Sequence, residues 1–328
     1  MSKLIDVLLL FALPASGKSE VRKYLASLTP EQSRDDFLMG PTVQLDDYPY
    51  VHIMRTISEE LQKIGAADPI FFEDGSKPMK EGRDWGTLIH LVNEDFDDLM
   101  ALRKLDVTDP AQWILDRFDA ARAKVGAPQA FKAMDADIKA KLLAAAPFVQ
   151  EAKDLLRDKN ATIQDTTGKT IVIEAARGGA DGASMPLAAP YGYQYSIGQL
   201  SDAILSRAGI CYIWVSPEES RRKNTERAKP QKAASTFLSL NHGVPMEVMM
   251  KEYGSDDMAY LLETSGKADS VKIEAHGKTY FLPVARFDNR EDKTTFVRAD
   301  KSEWKKEDVA ALHNGLAEAF HRLAKARD

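Results

Sequence analysis

The chain has 328 residues, a length that allows one large domain or two smaller ones. Apolar residues make up 44% and charged residues 29%, which supplies a sizeable core and excludes wholesale disorder. A net charge of −6 argues against a nucleic-acid-coating protein though not against a local basic site, and the single cysteine, Cys211, excludes an intrachain disulfide and Cys-rich zinc sites.

No apolar run reaches the ~20 residues needed to span a bilayer. The segment LIDVLLLFAL after Lys3 has the length of a signal-peptide core. Asp6 interrupts it and no small-x-small cleavage site follows, so the cytoplasm is the expected compartment.

In chain order, residues 4–11 are apolar at nearly every position, the mark of a short strand buried in a parallel sheet. A helical run, Glu20 to Leu28, lies just beyond it. Pro41 to Asp46 is a second strand, ending in Asp46-Asp47, and Thr170 to Ala176 is a third. More than 120 residues separate these two, too many for one crossover. The intervening segment, 56–165, reads as a mainly helical insertion, either structural cover or an acceptor-side lid. Within it Asp109-Pro110-Ala111-Gln112 combines a cap, a proline at the first helical position and a capping-box glutamine. Trp113, Ile114 and Phe118 then share one side, and residues 128–158 continue with helical periodicity.

Ile210 to Val215 is a fourth strand, and Ser216-Pro217-Glu218-Glu219 repeats the helix-start pattern. His276-Gly277 reads as a hairpin turn inside Ser270 to Phe287. Tyr280 to Phe287 is a fifth strand, with Pro283 counting against a central place in the sheet. Val309, Leu312, Leu316, Phe320 and Leu323 form one stripe of a C-terminal helix, read as core contact. Strands alternating with helices favour a parallel α/β sheet covered on both faces.

Directly after the first strand stands Ala12-Leu13-Pro14-Ala15-Ser16-Gly17-Lys18-Ser19, the phosphate-binding pattern G-x-x-x-x-G-K-[ST] with alanine in place of the first glycine. Gly17 lets backbone wrap phosphate oxygens closely, and loop N–H groups with the helix N-terminus supply positive potential. Lys18 adds a full charge at the β- and γ-phosphates, and Ser19 offers a hydroxyl to Mg²⁺. Ala12, Pro14, Ala15, Ser16, Gly17, Lys18, Ser19 and Glu20 are therefore the expected nucleotide-binding residues.

Three further segments carry a resemblance. Val43-Gln44-Leu45-Asp46-Asp47-Tyr48 is similar to the second-strand segment of uridine-kinase-like and phosphoribulokinase-like P-loop kinases, where an Asp meets the acceptor hydroxyl. Ile171-Val172-Ile173-Glu174 resembles the third-strand position whose acid orients Mg²⁺, directly or through water. The run from Ser216 through Arg221, Arg222, Lys223, Asn224 to Arg227 is similar to the arginine-bearing lid of nucleoside and nucleotide kinases. Helical spacing puts Lys223 and Arg227 on one face and turns Arg221 and Arg222 elsewhere. The resemblance covers scattered segments of about half the chain. The tetrapeptide N/T-K-x-D by which GTPases read their base is absent.

The resemblance implies a doubly wound parallel α/β sheet of order 2-3-1-4-5, with a core of residues 1–55 and 166–328 and an accessory segment at 231–275. It implies an ATP- and Mg²⁺-dependent phosphotransferase acting on a hydroxyl, nucleoside-like in preference, or on a phosphate. Lys18, Asp46, Lys223 and Arg227 are the expected catalytic residues, and Ser19 and Glu174 the expected Mg²⁺ ligands. Asp47, Tyr48, Arg177 and Arg222 fall on the acceptor side, with Asp47 read as capping the turn after the strand. Asn289 occupies the place where such kinases hold adenine. The loop from Arg177 to Gly182 is flexible by composition and either wraps an acceptor or merely connects. The expected partners are a nucleotide and a small-molecule acceptor, with neither membrane nor nucleic acid. Two alternatives stay open: an ATPase or switch acting on a protein partner, and a kinase of a sugar, nucleic-acid end or cofactor precursor.

Overall fold

A computed structural model describes residues 4–227 and 243–327. The first half of the chain runs β1 (Val7–Phe11), α1 (Lys18–Ala26), α2 (Pro30–Phe37), β2 (Thr42–Asp46), α3 (Tyr48–Lys63), α4 (Asp84–Met100), α5 (Pro110–Lys124), α6 (Ala136–Leu143) and α7 (Ala146–Thr162). The second half runs β3 (Thr170–Ala175), α8 (Gly192–Gly198), α9 (Asp202–Leu205), β4 (Ala208–Trp214), α10 (Pro217–Arg227), α11 (Met246–Glu252), α12 (Met258–Thr264), β5 (Ser270–Ala275), β6 (Lys278–Asp288) and α13 (Lys306–Arg327). Residues 231–242 of the expected accessory segment lie outside the described residues.

The six strands form one sheet in the order β2-β3-β1-β4-β6-β5, parallel throughout except for β5. Apart from the added edge strand this is the expected order, with β6 in the fifth-strand role, and it matches a P-loop NTPase-type topology with helical insertions. β1 sits at the centre, pairing Val7 with Ile171 of β3 and Ala208 of β4. Successive side chains of a strand point to opposite faces. Val7, Leu9 and Phe11 accordingly enter one core with α4, α8 and α12, while Leu8 and Leu10 enter another with α1, α2 and α13.

Local sequence explains the element ends. The α5 helix starts where Asp109 accepts from the Gln112 amide at 3.0 Å, and α10 where Ser216 Oγ accepts from Glu219 N at 3.2 Å. Gln112 turns its own side chain to Asp116 instead of closing a capping box. The helical run expected over 128–158 divides into α6 and α7, with Pro147 in the first turn of α7. His276 and Gly277, with φ of 52° and 70°, form the two-residue turn between β5 and β6.

Pro283 does not push its strand to the edge, because β6 lies between β4 and β5. Pairing with β4 begins one residue later, at Val284, and Pro283 stands opposite Ser270, the first residue of β5. The missing N–H thus falls where the strand passes from one neighbour to the other.

The helix α4 joins two cores. Ile89, Val92, Phe96 and Leu99 pack under the sheet, while Trp85, Leu88 and Leu91 face a second cluster built from α3, α5, α6 and α7. No helix among the described residues is long and apolar enough to cross a membrane. Leu316 is fully buried on the opposite face of the sheet, whereas Leu102 is 56% exposed. Denaturant unfolding should therefore show Leu316→Ala losing about 2–5 kcal/mol and Leu102→Ala less than about 0.5 kcal/mol.

Candidate functional site

The turn between β1 and α1 is held from beneath. Ser16 is buried and its Oγ donates to the Leu13 carbonyl at 2.6 Å. Asn289 Nδ2 donates to the Ser16 carbonyl at 2.8 Å and to Thr294 Oγ1 at 2.9 Å. Gly17 has φ of 101°, and a Cβ there would stand 2.5 Å from Thr294 Oγ1. Conformation and space therefore both demand glycine. Gly17 is also the cap residue of α1, so among the described residues no cap side chain occupies the first N–H groups of that helix. Free N–H groups at a helix N-terminus attract an anion.

The ends of β2 and β3 bring acids to Lys18. Asp46 stands opposite Glu174 in the register of the two strands. Lys18 Nζ donates to the Ala175 carbonyl at 2.9 Å. Burial lowers the Lys18 pKa, while Glu174, Asp47 and Asp46 act in the opposite sense. Glu174 Oε1 accepts from Arg22 Nη1 at 2.7 Å and from Gln44 Nε2. Burial, with the charges of Glu174 and Asp47, pushes the Asp46 carboxyl up to about 7 against the pull of the Tyr48 amide and Lys18.

The two neighbouring aspartates divide their tasks differently from the sequence expectation. Asp46, not Asp47, secures the turn, its Oδ1 accepting from Tyr48 N at 2.9 Å. Asp47 makes no cap bond to α3. Its carboxylate turns inward to a buried ion pair with Arg177, 2.6 Å from Nη1 but off the hydrogen-bonding direction. Arg177 also donates from Nε to Ser196 Oγ at 3.1 Å and from Nη1 to the Ala176 carbonyl at 2.7 Å. Its guanidinium lies 4.8 Å over the Trp85 ring. Beside Trp85, buried Glu252 accepts from Met79 N at 3.0 Å, and burial raises its carboxyl to about 7. Tyr48 sits at the surface of this region, 39% exposed.

The loop after Arg177, flexible by composition, packs its glycines against the backbone at Ser255. Gly179 pairs with Ser255 as an isolated bridge, and a Cβ on Gly178 would meet the Ser255 carbonyl at 2.6 Å. These glycines permit close backbone packing.

The helix α10 lies against the other side of the turn. Ser220 Oγ donates to the Pro14 carbonyl at 2.7 Å. Lys223 is buried and donates to Asp292 at 2.9 Å. Arg227 Nη2 reaches Glu20 at 3.2 Å, and Arg298 Nε reaches the same carboxylate at 2.7 Å. Arg222 faces outward to Glu219 and Glu226, and Arg221 pairs with Asp181 at 3.3 Å and with Glu218. The fold thus gathers Lys18, Asp46, Asp47, Glu174 and Arg177 on one side of the turn and Lys223 and Arg227 on the other, while Arg222 stays apart. Asn289 supports the turn from within.

Sequence reading missed Arg22, Gln44, Glu252, Asp292 and Arg298. Arg22 stands four residues after Lys18, on the same face of α1, and Gln44 two before Asp46, on the same face of β2. Both spacings were legible. Glu252, Asp292 and Arg298 reach the site only through tertiary contacts. Comparison with protein-family models, curated proteins and solved structures finds no match to the chain.

The raised Asp46 carboxyl has a stability consequence. The folded chain holds a proton there up to about pH 7, which the unfolded chain releases near 4, so ionisation costs stability as pH rises through that window. Asp46→Asn should raise the melting temperature at pH 8, by an amount that shrinks towards pH 4. A melting curve series across that range checks the sign.

Proposed function

We propose that this chain is an ATP-dependent phosphotransferase that transfers the γ-phosphoryl group to a hydroxyl of a small-molecule acceptor, nucleoside-like in preference. The observation that carries the reading is Asp46: a carboxylate oriented by the Tyr48 amide, in the electrostatic field of Lys18, with its pKa raised to about 7. A general base works best when its pKa lies near the working pH, and Asp46 meets that condition. One oxygen holds the backbone, which leaves the other to accept the acceptor's proton.

The donor set suits Mg²⁺-ATP. Mg²⁺ is a hard cation that takes few protein oxygens beside phosphate and water. The Ser19 hydroxyl and the Glu174 carboxylate are the oxygens assigned to it, with Arg22 and Gln44 keeping Glu174 oriented through Oε1. Bound Mg²⁺-ATP supplies the phosphoryl group and neutralises part of its charge. Lys18 and the first amides of α1 bind phosphate oxygens. Arg227 belongs to a helix fixed directly to the turn, where positive charge stabilises the charge that grows during transfer, while buried Lys223 anchors that helix to Asp292. Asp47 and Arg177 with Trp85 form the wall on the acceptor side, and Tyr48 its rim.

The test is label transfer from γ-labelled ATP to a panel of nucleosides, sugars and their phosphates. Asp46→Asn should lower transfer by roughly 10²–10⁴ while leaving ATP affinity nearly intact. Lys18→Ala should instead abolish the ATP-induced rise in melting temperature. Rapid ATP hydrolysis with no acceptor present, unaffected by Asp46→Asn, would replace this reading with that of an ATPase.

A further inference from the structure

We infer that Glu20 is a positioning residue that presents two arginines, Arg227 and Arg298, to the bound nucleotide, which adds Arg298 to the site. This rests on the nucleotide-binding part of the reading above. Glu20 occupies the first turn of α1, one residue after Ser19, and only 6% of it is exposed. A lone carboxylate at that place would repel a polyphosphate. Both its oxygens are instead engaged by Arg227 Nη2, at 3.2 and 3.3 Å, and one of them also by Arg298 Nε at 2.7 Å. Two guanidiniums on one carboxylate leave the group with a single net positive charge, at the end of α1 that attracts anions.

Among the described residues the arginines keep donors to spare. A guanidinium has five N–H donors, and Glu20 takes only Nη2 of Arg227 and Nε of Arg298. Arg298 is 35% exposed along its side chain and Arg227 16%, so both remain within reach of a ligand.

Neither segment needs Glu20 for its place. The α10 helix is fixed by Ser220 on the Pro14 carbonyl and by Lys223 on Asp292. The segment after β6 is fixed by Asn289 against Ser16 and by Thr294 against Gly17. What Glu20 decides is where the two guanidiniums point.

Calorimetric titration with Mg²⁺-ADP gives this inference opposite signs for its two outcomes. If Glu20 were only a negative charge beside the phosphates, Glu20→Gln would tighten binding. If it positions the arginines, Glu20→Gln and Arg298→Ala should each weaken binding by about tenfold, the worth of one charge-assisted hydrogen bond. The double variant should be scarcely weaker than Glu20→Gln alone, since that change already undoes the placement of Arg298. Unchanged circular dichroism and melting temperature without nucleotide establish that each variant is folded. Unchanged or tighter binding by Glu20→Gln, or a change within about threefold for Arg298→Ala, overturns the inference while the nucleotide reading stands. Failure of the unmutated protein to bind nucleotide overturns that reading and this inference with it.

Discussion

The arrangement depends on one constraint: a half-buried ammonium group, Lys18, hydrogen-bonded to a backbone carbonyl in the field of three carboxylates. A buried charge is tolerated only when paired and hydrogen-bonded. Lys18 finds the Ala175 carbonyl at 2.9 Å and the charges of Glu174, Asp47 and Asp46 around it. Those partners are available because β1, β2 and β3 are adjacent and parallel, so their carboxyl ends finish at one level. Open parallel sheets place their sites at that edge for this reason.

The acids need compensation in turn, and the rest of the site supplies it. Glu174 is held by Arg22 and Gln44, and Asp47 by Arg177. Among the described residues Asp46 has neither an arginine nor a lysine hydrogen-bonded to it, and it is the one whose carboxyl rises to about 7. On the far side of the turn Glu20 and Asp292 are balanced by Arg227, Arg298 and Lys223. The turn between β1 and α1 thus divides an acid-rich side from an arginine-bearing side. Ion pairs this buried gain little net stability, because desolvation offsets their attraction. What they provide is placement.

Rigidity comes from apolar packing beneath. β1 is buried on both faces, and its alternate residues tie two helical layers to the same strand. The helix α4 extends one of those layers into the insertion and carries Trp85, which supports Arg177. The insertion is therefore continuous with this region through α4, as it is through α3, which begins at Tyr48 directly after Asp47.

Much of this was legible in the residues alone, wherever the physics is local. Strand burial follows from apolar runs, the starts of α5 and α10 from Asp109 and Ser216, the β5–β6 turn from His276-Gly277, and the tight turn between β1 and α1 from Gly17. The facing of Lys223 and Arg227 away from Arg222 followed from helical spacing. Hydrogen bonds and charge pairs between distant segments have no such periodicity. Which of Asp46 and Asp47 would hold the turn depended on Arg177, some 130 residues away, drawing Asp47 inward. Composition likewise does not reveal the Ser255 backbone lying against the glycines after Arg177. Arg298 and Glu20 meet across 278 residues, and only the folded sheet brings them together. A contact of that kind is set by the geometry of the whole core and not by any neighbouring residue.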